Sequence, residues 1–271
     1  MRGERYKKFE RLKEILQEMD SVLVAFSGGV DSTFLLDTLN GVLGGGKVIA
    51  VTATSMTYPR RELNESKDIA SRLGIRHLII ESEELNIPGF SENPPDRCYY
   101  CKGELFSRLN ELAHKEGIRY ILDGSNYDDI GDYRPGMMAA DEWGVRSPLK
   151  EAGLTKDEIR LLSRENGLQT WDKPSFACLA SRFPYGDRIT PEKLVMVDHA
   201  EGVLRDLGFG QVRVRHHGDI ARIEVARDEM ERLLGEGILE TIVEGLKGLG
   251  YRYVTLDLEG YRPGSMNEGL I

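Results

Sequence analysis

No stretch of this chain stays apolar for the roughly 20 residues that a membrane-spanning helix needs, so no membrane partner is expected. Cysteine is scarce. Three residues, an odd number, exclude a disulfide framework and leave the thiols as ligands, a nucleophile or buried bystanders in a reducing compartment. A basic excess is also missing. Lys and Arg total 36 against 45 Asp and Glu, a net charge of −9, which argues against nucleic acid as a partner. Internal repeats and low-complexity segments are absent, and Met1 to Met19 is charged rather than built like a signal peptide, so the expected location is cytoplasmic. What remains is a 271-residue chain, 40% hydrophobic and 30% charged, with room for one large domain or two modest ones.

The chain is organised around V-L-V-A-F-S-G-G-V-D-S, Val22 to Ser32. An apolar run to Phe26 reads as a buried strand, two glycines make a turn, and Val30 to Leu39 has helical character. A helix N-terminus after a glycine-rich turn is an anion site, because free N–H groups converge there and the dipole favours negative charge. Ser27 and Ser32 add hydroxyls, and Gly28 and Gly29 let phosphate oxygens approach the backbone. Asp31 has no use in a bare phosphate cradle. It fits a divalent cation bridging carboxylate and phosphates, for which magnesium is the expected ion.

Helical spacing of Phe9, Leu12, Ile15, Leu16 and Met19 places an amphipathic helix over residues 5–19. Further strands are expected at Lys47 to Thr52, Arg76 to Ile80 and Arg119 to Leu122, with a last short one at Val145 to Leu149. Helices are expected at Arg60 to Leu73, Lys102 to Glu116 and Thr155 to Asn166, the last with a Thr155/Glu158 capping box. Strands alternating with helices predict an α/β fold with a parallel sheet and helices on both faces. Glu83 to Arg97 reads as a proline-rich loop leading to C-Y-Y-C, Cys98 to Cys101. The fourth strand runs into D-G-S-N-Y-D-D, Asp123 to Asp129, at the carboxyl end of the sheet where ligands bind. Trp171 to Pro184, W-D-K-P-S-F-A-C-L-A-S-R-F-P, reads as a functional loop and hinge. Beyond it, Pro191 to Leu207 is helical, Gln211 to His216 and Ile220 to Ala226 alternate as half-exposed strands, Asp228 to Leu249 is an interrupted helix and Tyr251 to Leu256 a strand. The expected domains are 1–170, a functional loop over 171–190, and a small α+β domain over 191–271.

The S-G-G-V-D-S string resembles the PP-loop of the ATP pyrophosphatase superfamily, which cleaves ATP between its α and β phosphates. Together with the 123–136 stretch, the P-S-F-A-C-L-A-S-R-F-P-Y-G loop and G-S-M-N-E at Gly264 to Glu268, it makes nearly the whole chain similar to the LarE-type ATP-dependent sulfurtransferases. These mature the nickel-pincer cofactor of lactate racemase. The resemblance implies adenylation of a carboxylate of pyridinium-3,5-biscarboxylic acid mononucleotide, conversion to a thiocarboxylate, a sulfide or other sulfur donor, and a homo-oligomer. It assigns Ser27, Gly28, Gly29, Asp31 and Ser32 to ATP, pyrophosphate and magnesium, with Ala25, Thr52, Met56 and Gly124 near the nucleoside. A PP-loop tRNA thiolase is the alternative, and would call for a basic face that this acidic chain does not advertise.

Cys178 matches the position at which some members of that family surrender their own sulfur and end as dehydroalanine. Cys98 and Cys101 add a C-x-x-C pair. Three thiolates without a fourth cysteine suit a 4Fe-4S cluster with one open iron. A zinc site completed by a histidine, or a redox pair at a helix N-terminus, remain open on the residues alone. Arg213 and Arg215 lie two apart on a strand, hence on one face, and suit the phosphate of a mononucleotide, as do Ser181 and Arg182 beside the reactive cysteine. Glu201 and Glu224 are candidates for substrate binding, and His216 and His217 for structural or surface roles.

Overall fold

A computed structural model describes residues 2–130, 135–174, 177–262 and 264–266. The chain divides into two compact units, one of Met1–Ile87 and Asp96–Phe176, the other of Pro88–Pro95 and Ala177–Ile271.

The first unit is a parallel sheet of β1 (Val22–Ala25), β2 (Val48–Thr54), β3 (Arg76–Glu81) and β4 (Tyr120–Leu122), in the order β3-β2-β1-β4. Side chains alternate across a strand, and both faces of this sheet are apolar. Val22, Val24, Val48, Ala50 and Leu122 pack into one core with α1 (Arg2–Gln17), α2 (Val30–Leu43), α6 (Pro148–Glu151) and α7 (Lys156–Glu165). Leu23, Ile49, Val51 and Ile121 pack into the other, against α4 (Arg97–Glu116) and α5 (Pro135–Glu142). A further helix, α3 (Arg60–Arg72), adds Ala70 to the first core. The chain winds outward from β1 through β2 to β3, then returns to place β4 on the other side of β1. The reversal opens a crevice beyond the carboxyl ends of β1 and β4.

The second unit has α8 (Pro191–Asp206), α9 (Ile238–Gly248) and a three-stranded sheet, β5 (Val212–His217), β6 (Ile220–Val225) and β7 (Tyr253–Leu256), in sequence order. Strands β5 and β6 are an antiparallel hairpin, and β7 runs parallel to β6 after the α9 crossover. Asn93, fully buried at φ 56°, ties the Pro88–Pro95 excursion to this unit by donating to the Phe183 and Pro184 carbonyls.

Several expectations are corrected. Val145 to Leu149 is not a strand: Arg146 makes one bridge to Leu122, and Pro148 then opens α6, where its fixed φ suits a first helical position. Helix α4 begins at Arg97, so Cys98 and Cys101 are its second and fifth residues rather than lying ahead of it. Asp228 to Leu249 is interrupted at Gly235 and Gly237 as expected, with 3-10 turns in place of an α-helix before them and α9 after Gly237 at φ 76°. Strand β5 is buried on both faces instead of half-exposed, because the face bearing Arg213 and Arg215 is satisfied by internal charge pairs.

One such pair holds the second unit. Glu201 on α8 is fully buried and receives Arg182 through two bonds, Nε to Oε1 at 2.7 Å and Nη2 to Oε2 at 2.9 Å, with Arg205 Nη2 at 2.6 Å. Its Oε1 also accepts the Val214 N–H on β5. Burial opposes ionisation of Glu201, but Arg182 and then Arg205 outweigh it and hold the carboxyl down from 4.5 to about 2. A depressed carboxyl contributes stability above its unfolded pKa, and that contribution fades as pH falls from 4.5 toward about 2. Arg182→Met is expected to destabilise this unit by about 3 kcal/mol or more, the cost of stranding a buried charge. Urea unfolding of the full chain at pH 7 measures it, and an unchanged midpoint would show the pair to be dispensable.

Candidate active site

At the end of β1 the chain enters Ser27 and Gly28, and Gly28 takes φ 67°, where a side chain is strained. A Cβ there would also stand 3.2 Å from Ser66 Cβ on α3. Two backbone carbonyls are turned to the rear of this loop, and each meets a donor. Tyr58 Oη donates to Ser27 O at 2.9 Å and Lys173 Nζ to Gly28 O at 3.1 Å. Burial, with Glu62 and Glu65 nearby, pushes the Tyr58 phenol up and keeps it a donor. Lys173 lies 2.7 Å from both Glu62 and Glu65, and its own carbonyl accepts from Arg160. Gly29 is the N-cap of α2, so the Val30, Asp31 and Ser32 N–H groups have no intrahelical acceptor and define an anion cradle. Ser27 Oγ and Ser32 Oγ stand 3.1 Å apart at its edge.

Asp31 lies in the first turn of α2, and its Oδ2 accepts from Lys156 Nζ at 2.5 Å. Its Oδ1 is buried and accepts no close hydrogen bond among the described residues, while the Asn126 side chain lies near the carboxylate. Burial raises the Asp31 carboxyl above the ordinary carboxylate value, Lys156 opposes that, Asp129 reinforces it and Asn126 opposes it. A shielded carboxylate oxygen beside an anion cradle fits a divalent cation.

Across the crevice, the loop after β4 is built as a rigid wall. Asp123 accepts from the Ser125 hydroxyl at 2.7 Å and from Ser147 at 2.7 Å, and Asn126 and Asp129 form a reciprocal capping box. Asp128 Oδ2 accepts the Lys156 N–H at 2.7 Å, which fixes the start of α7 below the same wall. Gly124 faces α2 directly: a Cβ there would stand 3.0 Å from Ser32 N. Among the other residues expected near the nucleoside, Ala25 ends β1 and Met56 is exposed at 47%, while the buried Thr52 hydroxyl is committed to Phe26 O at 2.7 Å and to His77. Asp132 and Arg134 lie outside the described residues.

Cys98 is exposed and Cys101 half-buried. The Cys101 thiol donates to Glu84 Oε1 at 3.2 Å, and the other oxygen of Glu84 accepts from Ser55, at 3.1 Å, and from Thr57. Cys178 belongs to the second unit. It caps a 3-10 turn over Leu179–Arg182, and its Sγ accepts the Ala180 N–H at 3.3 Å, a contact that favours negative charge on sulfur. Arg182 Nη1 reaches the Ala177 and Cys178 carbonyls and Ser181 Oγ, while its other two nitrogens hold Glu201. All three guanidinium nitrogens are thus engaged within the chain, and the residue expected at a substrate phosphate is found clamping the cysteine loop. Among the described residues no group of three or more His, Cys, Asp or Glu is gathered to hold a metal ion.

On the sheet of the second unit, Arg215 faces Arg222 and Arg213 faces Glu224 in register. Arg215 makes two bonds to Glu224, at 3.0 and 2.7 Å, and reaches Ser181 O at 3.0 Å. Glu224 also takes Arg222 at 3.2 Å. Arg213 sits over the Tyr261 ring and is lowered to about 10, by burial first and then by Arg182. Arg222 also pairs with Asp257 at 3.5 Å. Glu201 and Glu224 serve these arginines. His216 is buried against Tyr251 and Phe183, a structural placement. Of the G-S-M-N-E motif, Asn267 and Glu268 lie outside the described residues. Sequence reasoning missed Tyr58, Glu84, Lys156 and Lys173; the last stands in the W-D-K-P run and Lys156 directly follows the Thr155 cap, but neither position announces its partner.

A parallel sheet whose first strand opens into an S-G-G-V-D-S anion cradle, facing an acidic wall across the switch point, defines a PP-loop nucleotide-using protein. No protein-family model matches the chain. It is 41% identical over 257 residues to the pyridinium-3,5-bisthiocarboxylic acid mononucleotide synthase of Lactiplantibacillus plantarum, covering 94% of this chain and 92% of that one. It is 44% identical over 263 residues to an uncharacterized protein of Synechocystis, covering 97% and 98%. A tRNA-specific 2-thiouridylase of Rickettsia africae is 26% identical over 58% of the chain. The chain belongs to the family of the pyridinium-3,5-bisthiocarboxylic acid mononucleotide synthase.

The tight seat of Gly124 against Ser32 N is a direct check on the crevice. Gly124→Ala must push the acidic wall off the cradle, at about 1–3 kcal/mol for overpacking. Calorimetry is expected to show ATP binding weakened about tenfold, or ~1.4 kcal/mol. Unaltered affinity would mean the nucleotide does not use this wall.

Proposed function

We propose that the protein is an ATP-dependent sulfurtransferase that adenylates a carboxylate of pyridinium-3,5-biscarboxylic acid mononucleotide, releases pyrophosphate, and replaces AMP with sulfur to give a thiocarboxylate. The product serves the nickel-pincer cofactor of lactate racemase. The observation that carries this reading is the match to the Lactiplantibacillus enzyme over nearly the full length of both chains. A carboxylate is a poor electrophile, and attack on the α-phosphate converts it to an acyl-adenylate with a good leaving group. The Val30, Asp31 and Ser32 N–H groups are oriented in advance toward the phosphate oxygens on which charge accumulates. Asp31 would hold magnesium through Oδ1, and the ion when bound neutralises phosphate charge. Ala25, Thr52, Met56 and Gly124 border the nucleoside. Arg213, with Arg215 and Ser181, receives the phosphate of the mononucleotide.

Cys98, Cys101 and Cys178 would hold a 4Fe-4S cluster, and such a cluster supplies a thiophilic iron that carries sulfide. The donor set supports this: three cysteines outside any disulfide, two of them three residues apart on α4. A second reading is favoured by the Cys178 environment, a half-buried sulfur receiving a backbone N–H in a clamped loop. There, Cys178 attacks the acyl-adenylate, AMP leaves, and elimination leaves dehydroalanine in the chain.

With ATP, magnesium and the mononucleotide, the parent protein is expected to form AMP, pyrophosphate and thiocarboxylate, resolved by chromatography and mass spectrometry. Asp31→Asn should lose AMP formation by several kcal/mol of barrier while melting like the parent. AMP formation at the parental rate would remove Asp31 from the reaction.

The two sulfur routes separate cleanly. Anaerobic protein is expected to carry about four irons per chain with broad visible absorption. A Cys98→Ala/Cys101→Ala variant should lose iron and sulfur transfer yet keep adenylation. If that variant, free of iron, still completes one turnover and its chain loses the mass of hydrogen sulfide, Cys178 is the donor and the cluster assignment is wrong.

A further inference from the structure

The glycines that open the loop after β1 leave its peptide planes undecided by sterics. Without a Cβ on Gly28 or Gly29, the Ser27–Gly28 and Gly28–Gly29 peptides rotate with little hindrance. In a planar trans peptide the C=O and the next residue's N–H point in opposite directions, so fixing one fixes the other. The Ser27 carbonyl is held at the rear by Tyr58 Oη at 2.9 Å, and the Gly28 carbonyl by Lys173 Nζ at 3.1 Å. The N–H groups on the same two planes, those of Gly28 and Gly29, are thereby aimed at the front, beside those of Val30, Asp31 and Ser32.

Those two amides are little used within the chain. Gly28 is buried, yet its N–H donates no hydrogen bond among the described residues. Gly29 N–H reaches the Ser27 hydroxyl at a long 3.4 Å. Buried backbone N–H groups are nearly always paired, and one left open beside a helix N-terminus has an anion as its natural acceptor. The rear, by contrast, is fully committed. Lys173 lies 2.7 Å from both Glu62 and Glu65, which offset its charge, and burial with the same two glutamates keeps the Tyr58 phenol protonated. What these two side chains offer the loop is donors aimed at its carbonyls.

We propose that Tyr58 and Lys173 are positioning residues of the polyphosphate site: from behind, they set the two glycine peptide planes so that the Gly28 and Gly29 amides join those at the head of α2. This rests on the reading of the loop as a polyphosphate cradle. A flipped Ser27–Gly28 or Gly28–Gly29 peptide removes an N–H donor and turns a carbonyl oxygen, the negative end of its dipole, toward the anion. The rear donors oppose that flip, most strongly at Gly28 O, where the donor is an ammonium. Tyr58 follows β2 and Lys173 stands in the W-D-K-P run, so the shape of the cradle depends on two distant segments that bond it from the rear.

Nuclear magnetic resonance of the full chain, carrying 15N-labelled glycine and titrated with pyrophosphate in saturating Mg2+, reads each plane separately. Ser27–Gly28 is the only Ser-Gly step in the sequence, so serine labelled at its carbonyl carbon singles out the Gly28 amide. In the parent, the Gly28 and Gly29 amide resonances are expected to move downfield on binding. At saturation Tyr58→Phe should lose the Gly28 shift and Lys173→Met the Gly29 shift. Calorimetry should show pyrophosphate affinity down about threefold for the first and about tenfold for the second, as fits a neutral and a charged donor. Tyr58→Phe keeps the ring, so the Gly28 signal decides even where Lys173→Met does not fold. Full shifts in both variants, or a parent in which neither glycine amide responds, overturn the proposal. Weakened binding with both shifts intact overturns it too, being the mark of a role in charge or folding alone. If the parent forms no AMP from ATP and the mononucleotide, the reading of the function fails, and the two glycine shifts still decide the roles of Tyr58 and Lys173.

Discussion

A loop that grips a polyphosphate through its amides has to turn its carbonyls the other way and give each a donor. That constraint organises the first unit. The Ser27 carbonyl is met by Tyr58, which follows β2, and the Gly28 carbonyl by Lys173, far along the chain in the W-D-K-P run. Lys173 in turn needs Glu62 and Glu65 on α3, and α3 is seated by the close approach of Gly28 to Ser66. Two separated segments thus converge on two carbonyl oxygens. The front of the loop is left with N–H groups, two hydroxyls and one carboxylate, a combination that accepts phosphate and metal together.

The second unit solves the opposite problem. It buries charge where a domain of its size would be expected to bury apolar side chains. Arg182, Arg213 and Arg215 lie at or below 5% exposure, against Glu201 and Glu224 at 0%. Ion pairs of this kind contribute less to stability than hydrophobic packing of the same volume would, so their retention calls for another use. One use is local: Arg182 and Arg215 also bond the main chain of the loop that carries Cys178. Arg213 lies over the Tyr261 ring with its proton affinity lowered by burial and by Arg182.

Much of this was legible in the sequence, where local chemistry decides structure. The Val22–Ser32 string, the alternation of strands and helices, and the Thr155/Glu158 capping box depend on neighbours a few residues apart, and the structure has each of them. Arg146 and Pro148 show the limit. An apolar, β-rich window reads as a strand, yet one bridge is all that the sheet edge offers, and proline then opens a helix. The arginines show another. Alternation on β5 reads as one wet face, because a pattern of arginines does not reveal that Glu224 on β6 is waiting to bury Arg215 or that Glu201 on α8 accepts the Val214 N–H. Lys156 and Lys173 were invisible for the same reason: their partners lie 125 and 145 residues away. Function was legible through motif and family likeness, whereas the donors behind the loop were not.

The conformation of the cysteine loop bears on both sulfur routes. Arg182 fastens it through the Ala177 and Cys178 carbonyls and the Ser181 hydroxyl, and Arg215 adds the Ser181 carbonyl. None of these bonds involves sulfur. A bond that does, Ala180 N–H to Cys178 Sγ at 3.3 Å, is a weak contact beside a buried guanidinium making five. Taking the sulfur away, or binding it to iron, leaves the principal clamp in place. A loop held by its own main chain can deliver a reactive atom without depending on that atom for its shape. Arg182 supplies that hold because its guanidinium spans two carbonyls, a hydroxyl and a carboxylate at once, a reach that the point charge of a lysine would not match.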